Sequence, residues 1–117
     1  MEFASNVDHH IACYMGRERS PRIVTALNDL NIKAQCVEGG MKRLSQLCPE
    51  EVRKIIPPEQ SLVTLIWSGG DSEYVRKIDE AARNVLLLAG INNRIHRVDD
   101  FLCYFLGKKV RVDEIFC

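Results

Sequence analysis

The sequence lacks a net charge, a long apolar run and a closely spaced pair of cysteines. Its 117 residues include 16 basic and 16 acidic side chains, so the formal net charge is zero. This balance argues against a nucleic-acid-binding protein that works through bulk attraction to phosphate, and against a polybasic membrane anchor. Apolar runs such as residues 85–89 are far shorter than the roughly 20 residues that cross a bilayer. We therefore expect no nucleic-acid partner and no membrane association.

Cysteines are present, but their arrangement excludes the usual cysteine frameworks. No two have the spacing of a CxxC zinc or redox site, and the five are Cys13, Cys36, Cys48, Cys103 and Cys117. The first residues have neither the cationic flank nor the apolar stretch of a signal peptide, so we expect a cytoplasmic protein without a disulfide framework. The adjacent His9 and His10 would point to opposite faces of a strand, so we expect no metal site there. We also expect no other cofactor.

Strand-like and helix-like segments alternate along the chain. Apolar runs bounded by turn residues predict strands over residues 7–12, 31–37, 62–67 and 94–98. Apolar residues at helical spacing predict helices that begin at Ser20–Pro21, at Pro49 and at Asp71 or Ser72, with a turn or two of helix in residues 41–47. The helix that begins at Asp71 or Ser72 would end at Gly90. The residues expected on buried helix faces include Leu30, Ile55, Tyr74, Ile78, Ala82, Val85 and Ala89. For residues 101–117 we expect a short helix.

This alternation is typical of βαβ units. We predict an α/β fold: a small doubly wound sheet of four parallel strands in the order 2-1-3-4, with helices on both faces, formed by one domain over residues 1–117. In such sheets ligands bind beyond the carboxyl ends of the strands, where the strand order reverses. That point is the end of the first strand, where Cys13 lies.

The segment that begins at Cys13 has the pattern of an anion-binding loop: a cysteine, five residues, an arginine, a serine and a proline. A loop of this length between a strand and a helix can curl its backbone N–H groups around one anion, and the helix N-terminus adds its free amides. Arg19 offers a planar fork to two phosphate oxygens. Cys13 would be a thiolate near neutral pH and an in-line nucleophile toward phosphorus. Ser20 would hydrogen-bond the sulfur and ease its departure.

The residues between the cysteine and the arginine are expected to line the substrate site: Tyr14, Met15, Gly16, Arg17 and Glu18. A phosphatase also needs a general acid that protonates the leaving alcohol. Asp99 and Asp100 follow the last strand and Asp71 follows the third, all at the edge of the sheet that carries Cys13. The pair after the last strand favours Asp99, with Asp100 second. These residues predict a metal-independent phosphomonoester hydrolase that acts through a phosphocysteine.

The pattern Cys-x5-Arg-Ser-Pro, followed much later in the chain by an acid, resembles the low-molecular-weight protein tyrosine phosphatases. In the larger tyrosine and dual-specificity phosphatases the aspartate precedes the cysteine. The resemblance covers the loop, the first helix and the βα order. It implies the following roles: Cys13 as nucleophile, Arg19 as phosphate clamp, Ser20 as thiolate partner and Asp99 as acid. It also implies phosphotyrosine proteins or small aryl phosphates as substrates.

The chain departs from that family at several positions, and other functions compete. The family usually has Gly-Asn where this chain has Met15-Gly16, a second cysteine where it has Glu18, and Asp-Pro where it has Asp99-Asp100.

A catalytically inactive phosphate-binding relative is one alternative. Another is a phosphocysteine carrier resembling the IIB components of the bacterial sugar phosphotransferase system, which generally lack an arginine at the position of Arg19. A third is an arsenate reductase of the same fold, which needs two further cysteines to relay a disulfide.

Overall fold

The computed structural model describes residues 7–14, 19–67, 73–97, 102–105 and 108–111. The helices are α1 (Arg19–Asp29), α2 (Gly40–Leu44), α3 (Pro49–Ile55) and α4 (Glu73–Leu88). The strands are β1 (Asp8–Ala12), β2 (Ala34–Cys36), β3 (Ser61–Trp67), β4 (Asn92–Arg97), β5 (Leu102–Phe105) and β6 (Lys108–Arg111). The predicted alternation of strands and helices is confirmed as far as β4.

The first four strands form one sheet with the order β2-β1-β3-β4, and every neighbouring pair is parallel. Ala12 of β1 lies opposite Leu65 of β3, and Leu65 lies opposite Ile95 of β4. β1 and β3 are therefore the central strands. Central parallel strands are covered on both faces and are apolar nearly throughout, which is the composition of β3. The predicted α/β fold with the strand order 2-1-3-4 is confirmed.

Helices cover both faces of this sheet. Ala12 and Leu65 belong to a buried cluster to which α2, α3 and α4 also contribute, through Met41, Leu44, Val52, Ala82 and Leu86. α1 contacts β1 and β2, and its Ile23 and Leu27 are buried. Successive residues of a strand point to opposite faces, so Ile11 faces α1 while Ala12 faces the cluster. With α1 on one face and α2 to α4 on the other, the sheet is doubly wound.

The longest helix, α4, ends at Gly90 as predicted. Gly90 has a φ of +75°, a left-handed conformation that glycine adopts without the steric cost of a Cβ. The N–H of Ile91 donates to the carbonyl of Leu86 at 2.9 Å, and the N–H of Gly90 donates to the carbonyl of Leu87 at 3.0 Å. These two bonds are those of a Schellman motif, which satisfies the last carbonyls of the helix before the chain enters β4.

Three large side chains that the sequence assigns to buried helix faces are exposed instead. Leu30 is 42% exposed, Ile55 is 37% exposed and Tyr74 is 60% exposed. Leu30 follows the last residue of α1, so the buried stripe of the helix ends before it. At the end of α3 the buried positions belong to Val52 and Ile56. Tyr74 lies in the first turn of α4, at the edge of the sheet where its strands end.

The prediction of a short helix in residues 101–117 is wrong for the described part of that segment. β5 and β6 pair antiparallel, with Leu102 opposite Arg111 and Phe105 opposite Lys108. In sequence, only Leu106 and Gly107 separate the two strands. Two residues are the length of the tightest hairpin loops, but Leu-Gly is not one of the pairs that favour such loops. The uninterrupted apolar run before these two residues also has no strict alternation, so the sequence does not indicate the hairpin.

His10 is a buried titratable side chain in the middle of β1. It is 2% exposed, and the side-chain amide of Gln35 donates to its Nδ1 at 3.2 Å. Burial lowers the pKa of His10 from its usual value of 6.5, because desolvation disfavours the charged imidazolium. The nearby carboxylate of Asp8 opposes this shift and the positive charge of Lys33 adds to it. The fold therefore favours the neutral form of His10.

We predict that acid destabilises the protein partly through His10. The pKa is lower in the folded chain than in the unfolded chain, so the unfolded state binds more protons and stability is lost as the pH falls below roughly 6.5. His10→Gln should flatten the decline in the free energy of unfolding between roughly pH 7.5 and roughly pH 5.5, measured by urea titration at each pH. The same decline in both proteins would contradict this role of His10.

Candidate functional site

Cys13 directly follows β1 at the carboxyl edge of the sheet. From β1 the chain passes through α1 to β2 on one side, whereas β3 lies on the other side of β1. The strand order therefore reverses at β1, and a crevice at such a point is where doubly wound sheets bind ligands. Cys13 is 4% exposed. Its place at the end of the first strand is the one that the sequence predicts.

α1 begins six residues after Cys13. Arg19 and Ser20 lie in its first turn, so the helix starts one residue before the predicted start at Ser20. The strand end and the helix N-terminus are therefore spaced along the chain as they are in anion-binding loops. The rest of the predicted loop, Met15, Gly16, Arg17 and Glu18, lies outside the described residues, as do the side chains of Arg19 and Ser20.

The candidate general acids also lie outside the described residues. Asp99 and Asp100 come shortly after β4 in the sequence, and Asp71 lies between β3 and α4. Because the carboxyl ends of parallel strands meet at one edge of the sheet, the sequence predicts that all three lie near the edge that carries Cys13. The choice of Asp99 as the acid remains a prediction.

The start of the Cys13 loop is held by α2, an interaction that the sequence does not reveal. The N–H of Met41 donates to the carbonyl of Cys13 at 2.9 Å, and the N–H of Lys42 donates to the carbonyl of Tyr14 at 3.1 Å. The first N–H groups of a helix have no partner within the helix, and these two bonds satisfy two of them. The backbone of Cys13 and Tyr14 is thereby fixed to the helix that follows β2.

A glycine pair between β2 and α2 allows this contact. Gly39 and Gly40 have φ values of +79° and +61°, which residues with a Cβ rarely adopt. A Cβ on Gly39 would lie 2.6 Å from the Cβ of Arg43. The guanidinium of Arg43 donates in turn to the carbonyl of Glu38 at 3.3 Å, across the same turn. The visible signal in the sequence is the pair of glycines directly after a strand.

Tyr14 and Tyr74 form an aromatic pair beside Cys13. Their ring centroids are 6.4 Å apart and the ring planes meet at 61°, an edge-to-face arrangement. A hydrogen bond with the Tyr74 hydroxyl raises the pKa of the Tyr14 phenol, and desolvation adds to that shift. The sequence places Tyr14 at the site through its position after Cys13. It does not place Tyr74 there, because the helical period of α4 assigns this residue to the core.

Comparison with known proteins does not assign this site. No family model, curated protein or solved structure matches the chain. The described features of the site are a cysteine at the end of β1, a helix that begins six residues later and an aromatic pair.

Within the described ranges, histidine, cysteine, aspartate and glutamate side chains do not come together in a group of three or more that could hold a metal ion. None of the helices in the described part of the chain is both long enough and apolar enough to cross a membrane.

We predict that Gly39→Ala destabilises the protein more than Gly90→Ala. Both positions have left-handed backbone, where a Cβ costs about 1–2 kcal/mol, but only at Gly39 does the new Cβ meet another atom, the Cβ of Arg43 at 2.6 Å. At Gly90 nothing lies within 4 Å of the added Cβ. The difference in the free energy of unfolding, measured by urea titration, should reach about 1 kcal/mol or more. Equal losses of unfolding free energy in the two variants would contradict the prediction and show that the side chain of Arg43 moves away at no cost.

Proposed function

We propose that this protein is a phosphomonoester hydrolase of the tyrosine phosphatase type, which acts through a phosphocysteine on Cys13 without a metal ion or other cofactor. Its substrates would be phosphotyrosine proteins or small aryl phosphates in the cytoplasm. The observation that carries the proposal is the position of Cys13, which follows β1 where the strand order reverses, with α1 beginning six residues later. In a site of this kind, the positive end of the helix dipole stabilises a thiolate and attracts an anion.

In this proposal the phosphate is held by the backbone and by one arginine. The N–H groups of residues 14–18 and of the first turn of α1 donate to the phosphate oxygens. Arg19 donates two parallel hydrogen bonds to two of those oxygens, which a planar guanidinium does and a lysine ammonium does not. The hydrogen bonds from α2 to the carbonyls of Cys13 and Tyr14 support this arrangement, since they fix the backbone from which the loop starts.

Hydrolysis would proceed in two steps. The Cys13 thiolate attacks phosphorus, so that an S–P bond forms while the bond from phosphorus to the ester oxygen breaks. Asp99 gives its proton to that oxygen, and an alcohol leaves rather than an alkoxide. The Asp99 carboxylate then takes a proton from a water molecule whose oxygen attacks phosphorus. The S–P bond breaks, inorganic phosphate leaves, and a hydrogen bond from Ser20 stabilises the returning thiolate.

Two features of the sequence favour hydrolysis over a phosphocysteine carrier. The arginine six residues after the cysteine is the group that the IIB carriers generally lack. A carrier also gains nothing from a general acid, whereas this chain has two aspartates after β4. The resemblance of the Cys-x5-Arg-Ser-Pro pattern to the low-molecular-weight tyrosine phosphatases supports the same assignment.

We predict that Cys13→Ser abolishes hydrolysis of p-nitrophenyl phosphate, with a loss of more than about a thousandfold in kcat, because an alcohol is a far weaker nucleophile than a thiolate at neutral pH. The matched control is Cys48→Ser. Cys48 is exposed and is the N-cap of α3, a position that serine favours, so this variant should keep both its fold and its activity. Both rates are measured on reduced protein whose folding is checked by circular dichroism.

Two results would contradict hydrolysis. A folded, reduced wild-type protein that binds phosphate without turning over any phosphate ester would be an inactive phosphate-binding protein. A phosphocysteine on Cys13 that persists for minutes in water would instead identify a carrier.

We predict that Asp99→Asn lowers kcat about 100-fold on phenyl phosphate, in line with the usual contribution of a general acid. The loss should be smaller on p-nitrophenyl phosphate, because its leaving group is a weaker base that needs less protonation. Asp100→Asn is the matched control and should leave both rates within about threefold of wild type. A larger loss in Asp100→Asn than in Asp99→Asn would assign the acid to Asp100.

A further inference from the structure

Tyr74 occupies a position on α4 that its surroundings do not explain as core packing. It lies four and eight residues before Ile78 and Ala82, on the stripe of the helix that faces the sheet. Ala82 and Leu86 on the same helix are fully buried, whereas Tyr74 is 60% exposed. A large ring on the inward stripe of a helix is normally buried. Here the stripe extends past the end of the sheet, so that Tyr74 stands at the carboxyl edge.

The ring of Tyr74 meets one described aromatic neighbour at that edge, and this neighbour is Tyr14. The two rings lie edge to face, with centroids 6.4 Å apart and ring planes that meet at 61°. Tyr14 directly follows Cys13, and its carbonyl accepts a hydrogen bond from the N–H of Lys42. The backbone of Tyr14 and the ring contact with Tyr74 together hold the pair in place before any ligand arrives.

The sheet brings this pair to the proposed phosphate site from two directions. Tyr14 follows β1, and Tyr74 lies at the start of the helix that follows β3. β1 and β3 are neighbouring parallel strands with Ala12 opposite Leu65, so their carboxyl ends are adjacent. An aromatic surface with a large exposed part therefore lies next to the residue that would attack phosphorus.

We propose that the Tyr14–Tyr74 pair binds the aromatic ring of the substrate, and that Tyr74 is a specificity-determining residue that selects aryl over alkyl phosphates. This inference rests on the proposed phosphatase function, since the phosphate end is assigned to the Cys13 loop. Aromatic rings attract one another in offset or edge-to-face geometry beyond what their buried area provides. An alkyl phosphate has no ring to place against the pair, so it gains the phosphate contacts alone.

The test is equilibrium binding of two phosphonates that cannot be hydrolysed, phenylphosphonate and methylphosphonate, measured by NMR titration. Wild type should bind phenylphosphonate about tenfold more tightly than methylphosphonate. Tyr74→Ala should weaken phenylphosphonate about fivefold and leave methylphosphonate unchanged, because it removes a ring contact and no phosphate ligand. Tyr74→Phe, which keeps the ring, should retain the preference. Leu87→Ala, at an exposed residue of the same helix, should change neither affinity.

The outcomes separate this inference from the proposed function when hydrolysis of phenyl phosphate is measured on the same proteins. If Tyr74→Ala weakens the binding of both phosphonates equally, the pair has only a structural role, and its role in selectivity is overturned. Turnover without a preference for the phenyl compound would also overturn the inference and leave the phosphatase function standing. A preference without turnover would uphold the aromatic site and contradict hydrolysis. Binding of neither phosphonate together with no turnover would contradict both, whereas turnover without binding of either would overturn the inference alone.

Discussion

Two hydrogen bonds from α2 to the end of β1 determine how the candidate site is built. The N–H groups of Met41 and Lys42 donate to the carbonyls of Cys13 and Tyr14, and each of these donors would otherwise lack a partner at a helix start. The left-handed turn at Gly39 and Gly40 brings the helix to that position. These two hydrogen bonds thereby give partners to two N–H groups at the start of α2. They also fix the backbone of the proposed nucleophile and of the residue that follows it.

The proposed chemistry of the site depends on that fixed backbone. A loop that wraps an anion with its amides has to leave the strand in a defined direction, and the anchoring of Cys13 and Tyr14 sets this direction. The same anchoring holds Tyr14 where its ring meets Tyr74, whose helix starts from the neighbouring strand β3. The proposed phosphate binding and the proposed ring binding would therefore depend on the same two hydrogen bonds from α2.

The sequence predicts most of the sheet and the place of Cys13, because both follow from local patterns. Apolar runs and helical spacing give the alternation of strands and helices, and alternation restricts the strand order to few possibilities. Features that depend on contacts between distant segments are not predictable in this way. The hydrogen bonds from Met41 and Lys42 to Cys13 and Tyr14 join segments that are far apart in the sequence, and no local pattern predicts them. The helical spacing of α4 likewise does not show where the sheet that it covers ends. For that reason the exposure of Tyr74 is missed.

If Cys13 carries the phosphoryl group during turnover, that group can be trapped on its sulfur. Reduced protein is mixed with excess p-nitrophenyl phosphate, quenched in alkaline denaturant while turnover proceeds, digested and mapped by mass spectrometry. We expect one phosphoryl group, on the peptide that contains Cys13, and none on the peptides that contain Cys36 or Cys48. Steady release of phosphate with no phosphoryl group on Cys13, or with the group on another residue, would rule out a phosphocysteine on Cys13 as the intermediate.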